Sequence, residues 1–317
     1  MADSYTGWES FNIYFSAEYT QAFLKKCYKR LNLEQGEQKS YENCYPFMYY
    51  LEHGKVYYQQ AESSPLVIQP ILQYYGLVHL IKACILTVQP NYPESTSVLA
   101  HGISTRKRKK QQYQFFDDEV KFQKNGLFSL MAEKLFHMKQ LEGEKASMGE
   151  VLKYIPELSE LTKQTLGKNT FLDVRNENQI YYLSKKALDY FHMTEDRFQN
   201  FYQSKSPLSV SFRPSESEDI AFSFEQPIDR EPVPLKLNQN TGTYSMPLSK
   251  GPLLEYPELL LHYILLYNLS MIARYETEWW GELIKMMTTK DLPYIQSFLS
   301  ISLKKGPMLI HRLLSRK

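Results

Sequence analysis

Two stretches of this chain, residues 71–88 and 259–273, are so apolar that each must be buried on most of its sides. In the first, apolar side chains cover nearly the whole circumference of a helix. In the second, Leu260, Tyr263, Ile264, Tyr267 and Met271 recur on one side. A simple membrane span needs about 20 uninterrupted apolar residues. His79 and Lys82 interrupt the first stretch, and His262, Asn268 and Ser270 interrupt the second, so both read as core helices. At 317 residues the chain can bury a large core around them, and the two helices are expected to pack together.

The remaining periodicity organises the chain about these helices. Residues 1–165 carry helical spacing. Ser16 is placed to cap a helix whose apolar stripe is Tyr19, Phe23, Cys27 and Leu31. Pro46 suits the first turn of the next helix, in which Tyr50, Gly54, Tyr57 and Ala61 recur. Pro65 and Pro70 introduce the first apolar helix, and Gln89-Pro90-Asn91-Tyr92-Pro93 ends it. From about Asn169 the pattern changes. Residues 171–173 and 180–183 read as short strands, and 185–200 returns to helix. Leu208, Val210 and Phe212 alternate, as do Ile220, Phe222 and Phe224, and Asn238-Gln239-Asn240-Thr241-Gly242 supplies a turn before a strand at 243–246. Helix resumes after Pro252, and Gly306-Pro307 is expected to separate its last two pieces. The fold class is mainly α (α+β): a helical bundle around two very apolar helices, with a small antiparallel β insertion in the second half. Residues 1–168 form a helical region carrying a basic segment and 169–250 a mixed segment with the insertion. Residues 251–317 form C-terminal helices packing back on the first region, in one composite domain.

That basic segment is the strongest chemical signal. The formal charge is only +2, yet Arg106, Lys107, Arg108, Lys109 and Lys110 are consecutive. They follow a polar turn containing His101, Gly102, Ser104 and Thr105. Arginine pairs bidentately with phosphate or carboxylate, and lysine adds point charge. Ser104, Thr105 and the Gly102 amide are candidate neutral donors to the same anion. Tyr113, Phe115 and Phe116 lie near enough in sequence to stack on a base. If all five cations met phosphates, binding would fall with a log–log salt slope of about −4 or −5. The competing reading is a solvated basic start to a helix, partly neutralised by Asp117, Asp118 and Glu119.

Other chemistry is sparse. The seven histidines show no paired metal-ligand spacing, so neither a metal nor a cofactor is assigned. His79 and His262 read as satisfied core histidines. Lys82 reads as snorkelling or paired with Glu255 or Glu258. Gly-x-Ser-x-Gly, Walker A and GxGxxG sequences do not occur, so no catalytic residue is assigned. Arg274-Tyr275-Glu276 with Trp279-Trp280 closes the second apolar helix, Arg274 favouring its negative end. Cys27, Cys44 and Cys84 read as free thiols, and the first residues lack a secretory signal, so a cytoplasmic protein is expected.

Several motifs carry a resemblance. Tyr74-Tyr75-Gly76-Leu77 and His79-Leu80-Ile81-Lys82-Ala83 precede Leu99-Ala100-His101-Gly102 and Ser104-Thr105-Arg106-Lys107. Asn125-Gly126-Leu127-Phe128 follows, and near the C-terminus come Leu269-Ser270-Met271-Ile272-Ala273-Arg274-Tyr275 and Trp279. Together they resemble the YaaC-like family of Bacillus-type bacteria over most of the chain. The resemblance implies a cytosolic protein linked to purine nucleotide synthesis, because members are often encoded beside IMP dehydrogenase. A second likeness is to HEPN-type helical domains, many of which are ribonucleases using an Arg followed four to six residues later by His. Here His101 precedes Arg106, and no His follows Arg106 or Arg274 at that distance, so cleavage is not expected. The leading expectation is a non-enzymatic regulatory or adaptor protein docking an anionic partner, IMP dehydrogenase first among them. Nucleic acid or nucleotide binding is the alternative. An enzyme using His79 and His262 is a third reading and would need both in one pocket.

Overall fold

A computed structural model of the chain describes residues 5–105, 114–138, 141–214, 217–228, 230–286 and 290–317. It forms two units, one of residues 1–148 with 262–317 and one of residues 149–261.

The first unit opens with α1 (Ala17–Arg30), α2 (Gly36–Ser63) and α3 (Gln69–Leu86). Ser16 Oγ accepts the Tyr19 amide at 3.3 Å, which caps α1 as its sequence position requires. Phe23, Leu24, Cys27 and Tyr28 then turn inward. Pro46 does not open α2. It lies well inside it, because the helix begins ten residues earlier at Gly36. An interior proline removes one backbone hydrogen bond; burial of Phe47, Leu51, Tyr58 and Ala61 along the same helix outweighs that loss. Gly76 sets the approach of α3 to α2. A side chain there would put its Cβ 2.7 Å from the Tyr58 ring and 3.0 Å from Tyr57 Cβ.

A three-stranded antiparallel sheet follows, which the helical reading of residues 1–165 does not anticipate. Strand β1 (Ile103–Thr105) pairs with β2 (Glu119–Phe122), Ile103 opposite Phe122, and β2 with β3 (Lys145–Ser147), Val120 opposite Ala146. Strands of three or four residues are too short to display a period in the sequence. Between β2 and β3 stands α4 (Leu127–Phe136).

The second unit begins with α5 (Met148–Leu152), whose first residue still belongs to the first unit, and α6 (Ser159–Leu166). Its centre is a six-stranded antiparallel sheet made by β4 (Phe171–Glu177), β5 (Ile180–Ser184), β6 (Val210–Arg213), β7 (Asp219–Phe224), β8 (Lys236–Asn238) and β9 (Thr243–Pro247). The spatial order is β6-β7-β5-β4-β9-β8. The alternating residues on β6 and β7 face each other in register, Phe212 opposite Phe222. Phe191 from α7 (Lys186–Phe191) and Phe198 and Tyr202 from α8 (Glu195–Lys205) complete the core over Val174, Leu183 and Phe222. Lys236 is buried here, donating to the Tyr256 carbonyl and lying 3.7 Å from Glu231.

The chain re-enters the first unit at His262, inside α9 (Glu258–Tyr275), and ends with α10 (Thr277–Met286) and α11 (Asp291–Ser315). Gly306-Pro307 does not divide the last helix. α11 runs through it, with Phe298, Leu299, Met308, Leu309 and Ile310 buried on either side. Both apolar segments are helices. α3 packs backbone-close against α2 and α11, whereas α9 reaches α3 through the side chains of Tyr263, Tyr267 and Arg274. Trp280 is buried and donates Nε1 to the Val67 carbonyl at 2.9 Å, sealing one edge of the core. Among the described residues no helix is long and apolar enough to cross a membrane.

Candidate functional site around His101

The turn before β1 is held by backbone bonds to the start of α4. The Ala100 carbonyl accepts the Leu127 amide at 2.8 Å, the His101 carbonyl accepts Phe128 at 3.1 Å, and the Gly102 carbonyl accepts Gln123 at 2.9 Å. Three carbonyls thus meet donors from the 123–128 segment, two of them orphan amides at a helix N-terminus. The contact requires Gly126. With φ +127 and ψ 178 it occupies a region open essentially to glycine alone. A Cβ on it would also sit 2.3 Å from Gly102 N.

This frame fixes the His101 imidazole. Tyr263 Oη donates to the His101 carbonyl at 2.8 Å, Tyr74 Oη donates to Tyr263 Oη at 3.0 Å, and Tyr74 Oη lies 2.7 Å from His101 Nδ1. Each hydroxyl has one proton to give. Tyr263 spends its proton on the carbonyl and Tyr74 spends its own on Tyr263, so Nδ1 must be the donor to Tyr74. The neutral imidazole is therefore the Nδ1–H tautomer, with the lone pair on Nε2. No described residue bonds that nitrogen. Tyr267 packs against the same ring with centroids 5.4 Å apart.

The charges around His101 are positive. Burial pushes its pKa below the usual range, and Arg274 and then Lys82 push it further the same way. Arg274 is held by neutral partners: its Nε donates to the Ser270 carbonyl at 3.1 Å and its Nη1 to Tyr75 Oη at 2.8 Å. Its guanidinium lies over the Tyr75 and Tyr275 rings. The C-terminal end of α9 offsets part of its charge, as its sequence position indicates. Lys82 lies over the Tyr50 ring and takes neither glutamate proposed for it. Among the described residues, no carboxylate lies within ion-pair distance of Lys82 or Arg274.

The residues singled out in the sequence fall unevenly on this frame. His101 is at its centre. Gly102 is buried against Gly126, Ser104 Oγ already accepts from Gln123 Nε2 at 2.7 Å, and Thr105 pairs with Val120 in the sheet. Arg106, Lys107, Arg108, Lys109, Lys110 and Tyr113 lie outside the described residues. Phe115 cannot stack on a base, because it is buried, and Phe116 packs edge-on to Tyr294. Asp118 is also buried and accepts from Asn268 Nδ2 at 2.8 Å. His79 and His262 are not brought together. His79 contacts Tyr50, His53 and Tyr57, whereas His262 contacts Phe298 and Ser302. Tyr74, Tyr263, Tyr267, Lys82 and Arg274 escaped the site reading. Their signal was tyrosine hydroxyls and cations set into otherwise apolar helices, where each polar tip needs a partner. No group of described His, Cys, Asp and Glu residues can hold a metal ion.

The chain belongs to the YaaC-like protein family, whose model matches residues 12–314. No curated protein and no solved structure matches it.

Proposed function

We propose that this protein is a non-enzymatic regulatory or adaptor protein that docks an anionic partner at the His101 turn and the basic run after it. One observation carries the reading: Lys82 and Arg274 both bear on His101 and have no carboxylate within reach among the described residues. Positive charge gathered without internal counter-charge favours association with an acidic surface and speeds the encounter. The turn continues directly into Arg106–Lys110, which extends the same sign of charge along the sequence. The family resemblance makes IMP dehydrogenase the partner to test first.

Purified chain and purified IMP dehydrogenase, measured by biolayer interferometry, provide that test. The expected result is binding that weakens with salt and falls about tenfold or more on combining Arg106→Glu with Arg108→Glu. No binding, or equal binding by wild type and the charge-reversed protein, overturns the reading. Retention of duplex nucleic acid instead, with a log–log salt slope of about −4 or −5, replaces it with nucleic-acid binding.

A further inference from the structure

Next to the His101 turn, α2 and α3 present a line of half-buried and exposed rings that the docking reading does not use. His79 packs edge-on to His53 with centroids 5.2 Å apart, and stacks on Tyr57 at 5.6 Å with the planes 18° apart. Tyr57 in turn neighbours Tyr75 at 6.3 Å. A cation stands at each end. Lys82 lies one turn beyond His79 and 5.7 Å above the Tyr50 ring, and Arg274 lies 5.4 Å from the centre of Tyr75.

Packing between two helices explains the rings but not the polar groups among them. His79 Nδ1 is buried and has no hydrogen-bond partner among the described residues. A buried nitrogen left unpaired keeps its full desolvation cost. Burial and then Lys82 and His53 push the His79 pKa down to about 4, so its charged neighbours add repulsion instead of relief. Lys82 is itself lowered by burial. An incoming anion beside Lys82 would offset that charge and favour the protonated imidazole, and a planar ring would find aromatic faces beside it.

We propose that the surface formed by Tyr50, Tyr57, Tyr75, His79, Lys82 and Arg274 binds a nucleotide, its phosphate drawn by Lys82 beside His79 and its base lying on the aromatic side chains toward Arg274. The site shares Lys82 and Arg274 with the docking reading but goes beyond it, and the two are told apart by their tests. A chain that binds IMP dehydrogenase but no nucleotide sinks this proposal alone, and the reverse result sinks only the other.

Calorimetric titration of the full chain with AMP, GMP and UMP tests it, with adenosine, guanosine, uridine and inorganic phosphate as separate arms. At least one nucleotide should bind about tenfold or more tightly than both its nucleoside and phosphate, because each alone reaches half the site. Lys82→Gln and Arg274→Gln should each weaken that binding about tenfold, their folding checked by circular dichroism and thermal melting. On the wild-type chain, NMR of the His79 ring should show its pKa rising from about 4 when that nucleotide is added. Absence of nucleotide binding at millimolar concentration overturns the proposal. So does phosphate or a nucleoside binding as tightly as the nucleotide, or a His79 pKa that does not move.

Discussion

Replacing Gly126 with alanine should cost the first unit about 3–5 kcal/mol, the sum of backbone strain and forced overpacking. The added Cβ would lie 2.3 Å from Gly102 N, 2.5 Å from Gly102 Cα and 2.8 Å from the Ala100 carbonyl oxygen. All three are backbone atoms, so no side-chain rotation relieves the clash. The glycine also holds φ +127 with ψ 178, which an alanine reaches only under strain. For a domain of this size the melting temperature should fall by about 10 °C. The damage should reach His101, because the Leu127 and Phe128 amides that bind the Ala100 and His101 carbonyls follow Gly126 directly. Gly281→Ala provides the contrast, since nothing lies within 4 Å of a Cβ built there. Within α10 that change should be neutral or stabilising by up to about 1 kcal/mol. Equal melting temperatures for Gly126→Ala and wild type would show that the turn is not locked as described.

The second large effect is acid sensitivity centred on His262. Its imidazole is fully buried, Nδ1 lies 3.0 Å from Ser302 Oγ, and Nε2 is buried with no hydrogen-bond partner among the described residues. Burial first and the charge of Lys305 second hold its pKa well below 6.5. In the unfolded chain the same group takes up a proton as pH falls below about 6.5, while the folded chain refuses it. Acidification therefore favours the unfolded state. Above about 6.5 both states are neutral and His262 adds no pH dependence. Below it, stability should fall by up to about 1.4 kcal/mol per pH unit for this residue, for as long as the folded imidazole stays neutral. His79 adds to the loss in the same direction until pH reaches about 4. Urea unfolding of wild type and His262→Gln between pH 7.5 and 4.5 measures the effect. The variant should start less stable and lose stability less steeply, by one proton's worth. Parallel pH profiles would show that His262 is not held neutral by the fold.

Much of this architecture was legible because the hydrophobic pattern is strong where burial is complete. α3 and α9 have apolar side chains on nearly every face, and large apolar residues recur at every second position at Val210 and Phe212 on β6 and at Ile220, Phe222 and Phe224 on β7. Pro46 and Pro307 misled because a proline marks a local cost, while the helices around them are held by buried residues far from that position. The sheet of β1–β3 was hidden by the brevity of its strands and by the 13 residues between β1 and β2. At the site, His101 stood out through its neighbours in sequence. Its partners did not, because Tyr74–Tyr263 joins residues 189 apart and Arg274–Tyr75 joins residues 199 apart. Periodicity assigns a residue to a face of its helix and is silent about which distant side chain that face meets.

Positive charge gathers around His101 with no carboxylate paired to Lys82 or Arg274 among the described residues. The most direct test of this is an NMR titration of the His101 imidazole in wild type and in a Lys82→Gln, Arg274→Gln double variant. The ring should titrate below the ordinary value of 6.5 in wild type. It should move upward in the variant without reaching the ordinary value, because burial, the larger cause, remains. A wild-type His101 titrating at or above 6.5, or one unmoved by loss of both cations, would contradict the account.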